Sequence, residues 1–321
     1  MSQITIEQRY VIASMLQAEF SRNEICESIG KSKSVLSREI ARNADKRSGR
    51  YEAGLAQRKC IERHLEKPKR QTFTPVIKQY VEDQLALKFS PEQIVGFARK
   101  EGVDCVSHER IYQHLWTDKR KKGRLFEHLR TQGKRYRKRG AAKDRRGVIK
   151  DRVDISQRPL VVEKRERVGD LEIDTIIGKN HQGAIVTIND RATGMVKMAK
   201  LASKDAEELA KATIELLQGW KPFIHTITSD NGKEFAAHKM ISESLDIDFF
   251  FARPYHSWER GSNENLNGLI RQYIPKKTDF STITNTYVKH VENELNNRPR
   301  KRFNFNTPNE IYKQKIVAFM T

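Results

Sequence analysis

Cysteine is scarce in this chain of 321 residues. Its three cysteines, Cys26, Cys60 and Cys105, are odd in number, far apart and form no Cys-x-x-Cys pair. That pattern excludes a disulfide scaffold, and no second ligand pair follows Cys60 and His64 at zinc-finger spacing. Long apolar runs are missing as well: no stretch approaches the ~18 residues that a membrane span needs. The opening Met-Ser-Gln-Ile-Thr-Ile-Glu lacks the basic-then-apolar order of a signal peptide. No basic amphipathic helix carries the bulky apolar residues of a membrane-surface protein. A reduced, cytoplasmic protein without a membrane partner is expected.

Acidic residues are in short supply relative to basic ones. Lys+Arg number 61 and Asp+Glu 41, for a formal net charge of +20. A chain this basic is built for a polyanion. The charge is uneven: residues 1–160 carry a net +17 and residues 161–321 only +3. A binding half followed by a half with its own core is the simplest division. The densest stretch, Lys119 to Arg146, holds 14 basic residues against Glu127 and Asp144. It reads as a basic linker or arm over 119–160 that can follow DNA phosphates.

The basic half is patterned as short helices. Thr5-Ile-Glu-Gln8 and Ser21-Arg-Asn-Glu24 are capping boxes, and Gly30 stops the second helix. Ile6, Tyr10, Ala13 and Leu16 form the expected apolar stripe of the first helix. Ser32 opens a third helix with Val35, Leu36 and Ile40 inward. Two short helices joined by a Gly-containing turn mark a helix-turn-helix over 1–45. The third helix would enter the major groove, offering Lys33, Ser34, Ser37, Arg38 and Arg42 to bases and phosphates. After a helical linker over 46–72, Thr74-Pro75, Ser90-Pro-Glu-Gln93 and Ser107 open three more helices. They predict a second helix-turn-helix over 73–118, with His108, Arg110 and Gln113 outward.

The second half, 161–321, alternates differently. Apolar strand-like runs at 171–177, 184–189, 195–201, 224–229 and 249–252 are interleaved with helical stretches near 204–218, 235–245 and 257–272. Three strands, helix, strand, helix, strand, helix predict an α/β domain with a mixed five-stranded sheet. Three acids stand out. Asp174 lies inside the first strand, where a charge needs a partner or a metal. Asp230 begins an Asp-Asn-Gly turn at a strand end. Glu264 lies on a helix in an Asn- and Gly-rich segment that helix propensity alone does not favour. Glu264, Asn267, Gly268 and Arg271 share one helix face. Three converging carboxylates need a cation, and an all-oxygen site suits Mg²⁺ or Mn²⁺. Asp170, Glu172 and Glu259 are the acids most easily mistaken for members of the set. Arg260 and Arg271, with Arg253, His256, Lys276 and Lys277, are candidate DNA contacts nearby.

The strings Gly169-Asp-Leu-Glu-Ile-Asp174, Thr228-Ser-Asp-Asn-Gly-Lys-Glu-Phe235 and Pro254-Tyr-His-Ser-Trp-Glu-Arg-Gly-Ser-Asn-Glu-Asn-Leu-Asn-Gly-Leu-Ile-Arg-Gln-Tyr273 resemble the insertion sequence 30 family of bacterial DDE transposases. The Thr5–Arg42 and Ser90–Tyr112 segments resemble the same family. One departure is visible: Leu-Glu-Ile-Asp stands where the family usually has Trp-Glu-Gly-Asp. The resemblance implies a multidomain chain in which all-α helix-turn-helix units precede a ribonuclease H-like catalytic domain. It implies Asp174, Asp230 and Glu264 as a catalytic and metal-binding triad, with two Mg²⁺ or Mn²⁺ ions. It further implies double-stranded DNA partners (the element's inverted repeats and the target), a homo-oligomer on DNA, and a nucleoid-associated bacterial protein. A non-catalytic DNA-binding regulator and a metal-dependent nuclease without strand joining are the alternatives.

Overall fold

Local capping chemistry sets the N-terminal helices of the computed structural model, which describes residues 3–66, 72–132, 149–253 and 261–320. Two compact units divide the chain, residues 1–72 and 73–321. In the first, α1 (Ile6–Gln17), α2 (Arg22–Ile29), α3 (Lys33–Asn43) and α4 (Ala53–Glu66) enclose a small core of Ile12, Ile25, Ile29, Leu36 and Ala56. Thr5 and Ser21 form the expected capping boxes, and Gly30 ends α2 at φ 62°. Ser32 precedes α3, but its hydroxyl meets that of Ser34 at 3.1 Å rather than a backbone N–H. Two details differ from the sequence reading. Ile12 and Arg9 are the buried residues of α1, while Tyr10 faces solvent. The reason is Arg9, which turns inward to Glu39 at 2.7 Å and fixes the helix's rotation. The segment expected as a linker supplies α4 and Tyr51, whose hydroxyl donates to Glu39 at 3.1 Å, so it belongs to this unit's core.

The second unit begins with α5 (Pro75–Ala86), α6 (Pro91–Lys100) and α7 (His108–Arg120) around Val81, Leu85, Ile94, Ile111 and Leu115. Leu129 closes this core, so residues just beyond Arg120 pack with the helices rather than starting a linker. These helices lie against the C-terminal segment. The Phe305 ring sits where a Cβ on Gly96 would be 2.2 Å away, and Gln93 donates to the Pro299 carbonyl at 2.6 Å. Only glycine at position 96 lets α6 approach so closely.

The α/β portion follows with β1 (Val153–Asp154), the single turn α8 (Val161–Lys164), β2 (Asp170–Ile177), β3 (Ala184–Asp190), β4 (Val196–Leu201), α9 (Ala206–Leu217), β5 (Thr226–Ser229), α10 (His238–Leu245), β6 (Asp248–Phe251), α11 (Gly261–Ile270), α12 (Asn285–Asn296) and α13 (Pro308–Met320). The sheet order is β1-β6-β5-β2-β3-β4. β2, β3 and β4 form an antiparallel meander, and β5 and β6 add in parallel beyond β2. That is the ribonuclease H-like order. The mixed sheet is as expected, but it has six strands rather than five. Val153 and Asp154, expected within the basic linker, pair with Phe250 and Phe251 at its edge. A two-residue strand whose partner is so remote in sequence leaves no local signal.

Alternation along β2 separates the two faces of the sheet. Leu171 and Ile173 enter the core beneath α9 and α10 with Leu209, Ile241 and Phe249. Ile176 enters a second core with Leu266, Ile270, Val288 and Leu295 from α11 and α12. No helix among the described residues is long and apolar enough to cross a membrane.

Candidate active site

The face of β2 and β5 toward α11 begins as a column of polar residues. The parallel register sets Asp170 beside Thr226 and Glu172 beside Thr228. The pairing ends there: Asp174 lies two residues further along β2 on the same face, and Asp230 follows directly after β5. The acids deeper in the column are already committed. Asp170 is paired with Arg167 at 2.7 Å and accepts from the Thr226 hydroxyl at 2.9 Å. Glu172 forms a fully buried ion pair with Arg191. These two look-alikes are therefore structural.

Asp174 and Asp230 differ from them in being only partly buried. Asp174 Oδ1 accepts from the Thr175 N–H at 2.9 Å, and Oδ2 accepts from Asn267 Nδ2 at 2.8 Å. Asp230 Oδ1 accepts from the Gly232 N–H at 2.9 Å, the Asx turn that Asp-Asn-Gly encodes. Asn231 holds the turn in place by donating to the Ala252 carbonyl at 2.6 Å. Ile173, the residue that departs from the family's usual Gly, is fully buried in the α9–α10 core and leaves Asp174 on the opposite face.

α11 crosses the column. Buried Asn263 reaches the Ile173 carbonyl at 3.4 Å, and Asn267 reaches Asp174 as above. Glu264 therefore sits on a helix stitched to β2 on both sides of it, in the first turn, with its side chain exposed. Among the described residues, no three His, Cys, Asp or Glu side chains stand close enough to hold a metal ion. The structure thus carries Asp174 on β2, Asp230 in the turn after β5 and Glu264 on α11, without a closed three-carboxylate cluster among the described residues. The donor chemistry suits a hard cation: the carboxylates supply only oxygen, and the Oδ1 atoms of Asn263 and Asn267 are buried without a hydrogen-bond partner.

Sequence reasoning missed Glu234. Its carboxylate accepts from the Thr175 hydroxyl at 2.9 Å and lies 3.3 Å from Lys204 Nζ. Burial raises its pKa, but its own backbone N–H, Thr175 and Lys204 outweigh burial and hold it below the ordinary value. A Cβ on Gly232 would lie 2.7 Å from Glu234 Cδ and 2.9 Å from Asp230 Oδ1, so both carboxylates crowd the glycine. The only signal in the sequence was an acid four residues after Asp230. Gly232→Ala is expected to displace Asp230 and lower strand cleavage by about 10²-fold. The check is a single-turnover cleavage assay, with the thermal midpoint measured to confirm folding.

The DNA-binding candidates fall into three groups. Lys33, Ser34, Arg38 and Arg42 are exposed along α3, and Ser37 is partly buried. His108, Arg110 and Gln113 are exposed along α7, with Arg110 and Gln113 bonded at 3.1 Å. Arg271 is partly buried and donates to the Ile177 and Pro275 carbonyls, each at 3.3 Å, so much of its guanidinium serves the fold. Arg260, His256 and Glu259 lie outside the described residues.

A ribonuclease H-like sheet with one acid inside its central strand and a second just past the end of the neighbouring parallel strand, in a chain opened by a helix-turn-helix unit, is the arrangement of a DNA transposase of the DDE class. Residues 1–43 match the family model described as a helix-turn-helix domain. The chain is 56% identical over 320 residues to the transposase for insertion sequence element IS4351 of Bacteroides fragilis, covering 98% of each. It is 31% identical over 332 residues to the transposase InsI for insertion sequence element IS30A of Escherichia coli (strain K12), covering 98% of this chain and 84% of that one. Among solved structures, the catalytic core domain of BIV integrase aligns with 48% of this chain and 99% of its own, at 20% identity and a TM-score of 0.39. The chain belongs to the insertion sequence 30 family of bacterial transposases.

Proposed function

We propose that this transposase recognises the terminal inverted repeats of its element and performs Mg²⁺- or Mn²⁺-dependent strand cleavage and strand transfer through Asp174, Asp230 and Glu264. The observation that carries the reading is the polar face of β2: its deeper acids Asp170 and Glu172 are paired with arginines, while Asp174 and, just past the end of β5, Asp230 are only partly buried. Asp174, Asp230 and Glu264 would hold two ions. When bound, the ions supply an activated water or 3′-hydroxyl and neutralise charge on the leaving oxygen of an in-line displacement.

The chain's own residues do the positioning. Asn267 and the Thr175 N–H fix both oxygens of Asp174, and the Gly232 N–H fixes Asp230. Asn263 and Asn267 hold the helix that carries Glu264 against β2. No step passes through a covalent protein–DNA bond. Joining two element ends to a target calls for at least two such sites, hence a homo-oligomer on DNA.

The exposed side of α3 is the repeat-reading surface, and α7 offers a second one. Arg38→Ala is expected to weaken binding to the element end by ~1–3 kcal/mol and relax its sequence preference, as for a base contact. Arg42→Ala is expected to weaken binding to all sequences and reduce the salt slope by about one. Gel shifts on element-end and scrambled duplexes across a salt series distinguish the two effects. Unchanged affinity in both variants would remove α3 from the reading surface.

A further inference from the structure

Residues 73–321 enclose a second charged feature, of opposite sign to the carboxylates. A cleft of about 350 Å³ lies between the start of α6, the turn at 128–130, α11 and the 298–302 segment that joins α12 to α13. Lys88, Arg130, Arg298, Arg300, Lys301 and Arg302 line it, against one acid, Glu92. Glu92 is already paired with Lys301 at 2.5 Å.

Among the described residues none of the four arginines forms a close ion pair with a carboxylate, although Asp190 and Glu172 attract Arg302 from further away. Arg298, 2% exposed, donates to Gln93 Oε1 at 3.1 Å and Gln272 Oε1 at 2.7 Å. Arg300 donates to the Leu295 carbonyl at 3.0 Å, and Arg130 to Asn265 Oδ1 at 2.8 Å. Arg302 lies over the Phe303 ring. The other buried arginines behave differently: Arg9, Arg158 and Arg191 each face a glutamate. Burial and mutual repulsion push Arg298 down to about 10 and Arg300 to about 9, which still leaves both charged at neutral pH.

Two glycines make room for this crowding. A Cβ on Gly268 of α11 would lie 1.9 Å from Arg130, and one on Gly194, at φ +71°, 2.8 Å from Arg302. Guanidiniums brought together against neutral oxygens carry a desolvation cost that an anion with several acceptor oxygens relieves.

We propose that this cleft is a phosphate site that clamps one phosphodiester of the DNA strand next to the active site. The proposal rests on the transposase reading for the source of the phosphate. α11 connects the two sites: Asn265, Leu269 and Gln272 line the cleft, while Asn263 and Asn267 bond to β2 beside Asp174. A phosphate held here fixes the helix that carries Glu264 from its other side.

The test uses the full chain with Arg130→Gln, Arg302→Gln and the double variant, since both side chains are exposed and their loss spares the core. Thermal midpoints are measured with inorganic phosphate replacing chloride at constant ionic strength. At ten times its Kd, phosphate is expected to raise the wild-type midpoint by roughly 3–6 °C and to leave the double variant unmoved. In parallel, anisotropy with element-end and scrambled duplexes is expected to show about tenfold weaker binding of both by the double variant. Its salt slope is expected to be smaller by about one. An absent wild-type shift, or an equal shift in the double variant, overturns the site. A lost phosphate response with unchanged DNA affinity and slope overturns the DNA assignment. Neither arm requires strand cleavage, so a wild type that binds phosphate here but never cuts element ends contradicts the transposase reading and not the site.

Discussion

Asp230→Asn and Asp174→Asn are each expected to lower strand cleavage and joining by about 10³-fold or more while leaving DNA binding within twofold. The size follows from the chemistry: a carboxylate that holds a catalytic cation contributes several kcal/mol to the transition state, and each 1.36 kcal/mol is tenfold in rate. The substitution is nearly isosteric. Asp230's hydrogen bond from the Gly232 N–H can be kept by the amide oxygen, so the turn survives while the charge is lost. Asp174 accepts from both Thr175 and Asn267, so its amide variant must also place an NH₂ against one donor. Asp174→Asn is therefore expected to lower the thermal midpoint slightly more than Asp230→Asn. Single-turnover cleavage, gel shift and calorimetry on the same preparations separate these effects. A residual rate above a tenth of wild type in either variant would remove that carboxylate from the chemistry.

Arg191→Ala is expected to be the most destabilising single change in the α/β portion. Arg191 and Glu172 are both fully buried and paired with each other. Arg191 also reaches Glu163 at 3.2 Å, and Glu163 in turn pairs with Arg158, which donates to the Thr228 hydroxyl at 2.9 Å. Removing the guanidinium strands a buried carboxylate two residues before Asp174. Breaking a buried pair in this way costs about 3–5 kcal/mol. For a unit of this size that is a fall in thermal midpoint of roughly 6–20 °C. The double variant Arg191→Met with Glu172→Leu, which removes both members of the pair and so strands neither charge, is expected to recover much of the loss. Equal midpoints for wild type and Arg191→Ala would contradict a structural role for this pair.

Features written in short stretches of chain were legible in the sequence. Thr5–Gln8, Ser21–Glu24 and Ser90–Gln93 are capping boxes in the sequence and in the structure because donor and acceptor lie three residues apart. The five longer strands and α9, α10 and α11 follow from apolar periodicity. Asp174 and Asp230 were visible because a charged residue in an apolar strand and an Asp-Asn-Gly turn are each locally unusual.

Features that depend on remote pairing were not legible. β1 is defined only by β6. Arg9 looks like a surface residue until Glu39 is brought to it. Arg298 and Arg300 carry no local sign of their surroundings: Gln93 of α6 and Gln272, both remote in sequence, meet Arg298 only in the folded chain. Glu234 needed Thr175 and Lys204, from two other segments, to reveal its place beside Asp230.

In the proposed reaction Glu264 works together with Asp174 and Asp230 in metal-dependent strand transfer. This is tested most directly with a plasmid carrying the element's own ends, incubated with wild type, Asp230→Asn and Glu264→Gln, with Mg²⁺, with Mn²⁺ and with chelator. Wild type is expected to cut and join with either metal and to do neither with chelator. Both variants are expected to bind the ends as wild type does and to yield no product. Cleavage by Glu264→Gln at the wild-type rate would break up the triad, and binding without cleavage by wild type would favour a non-catalytic regulator.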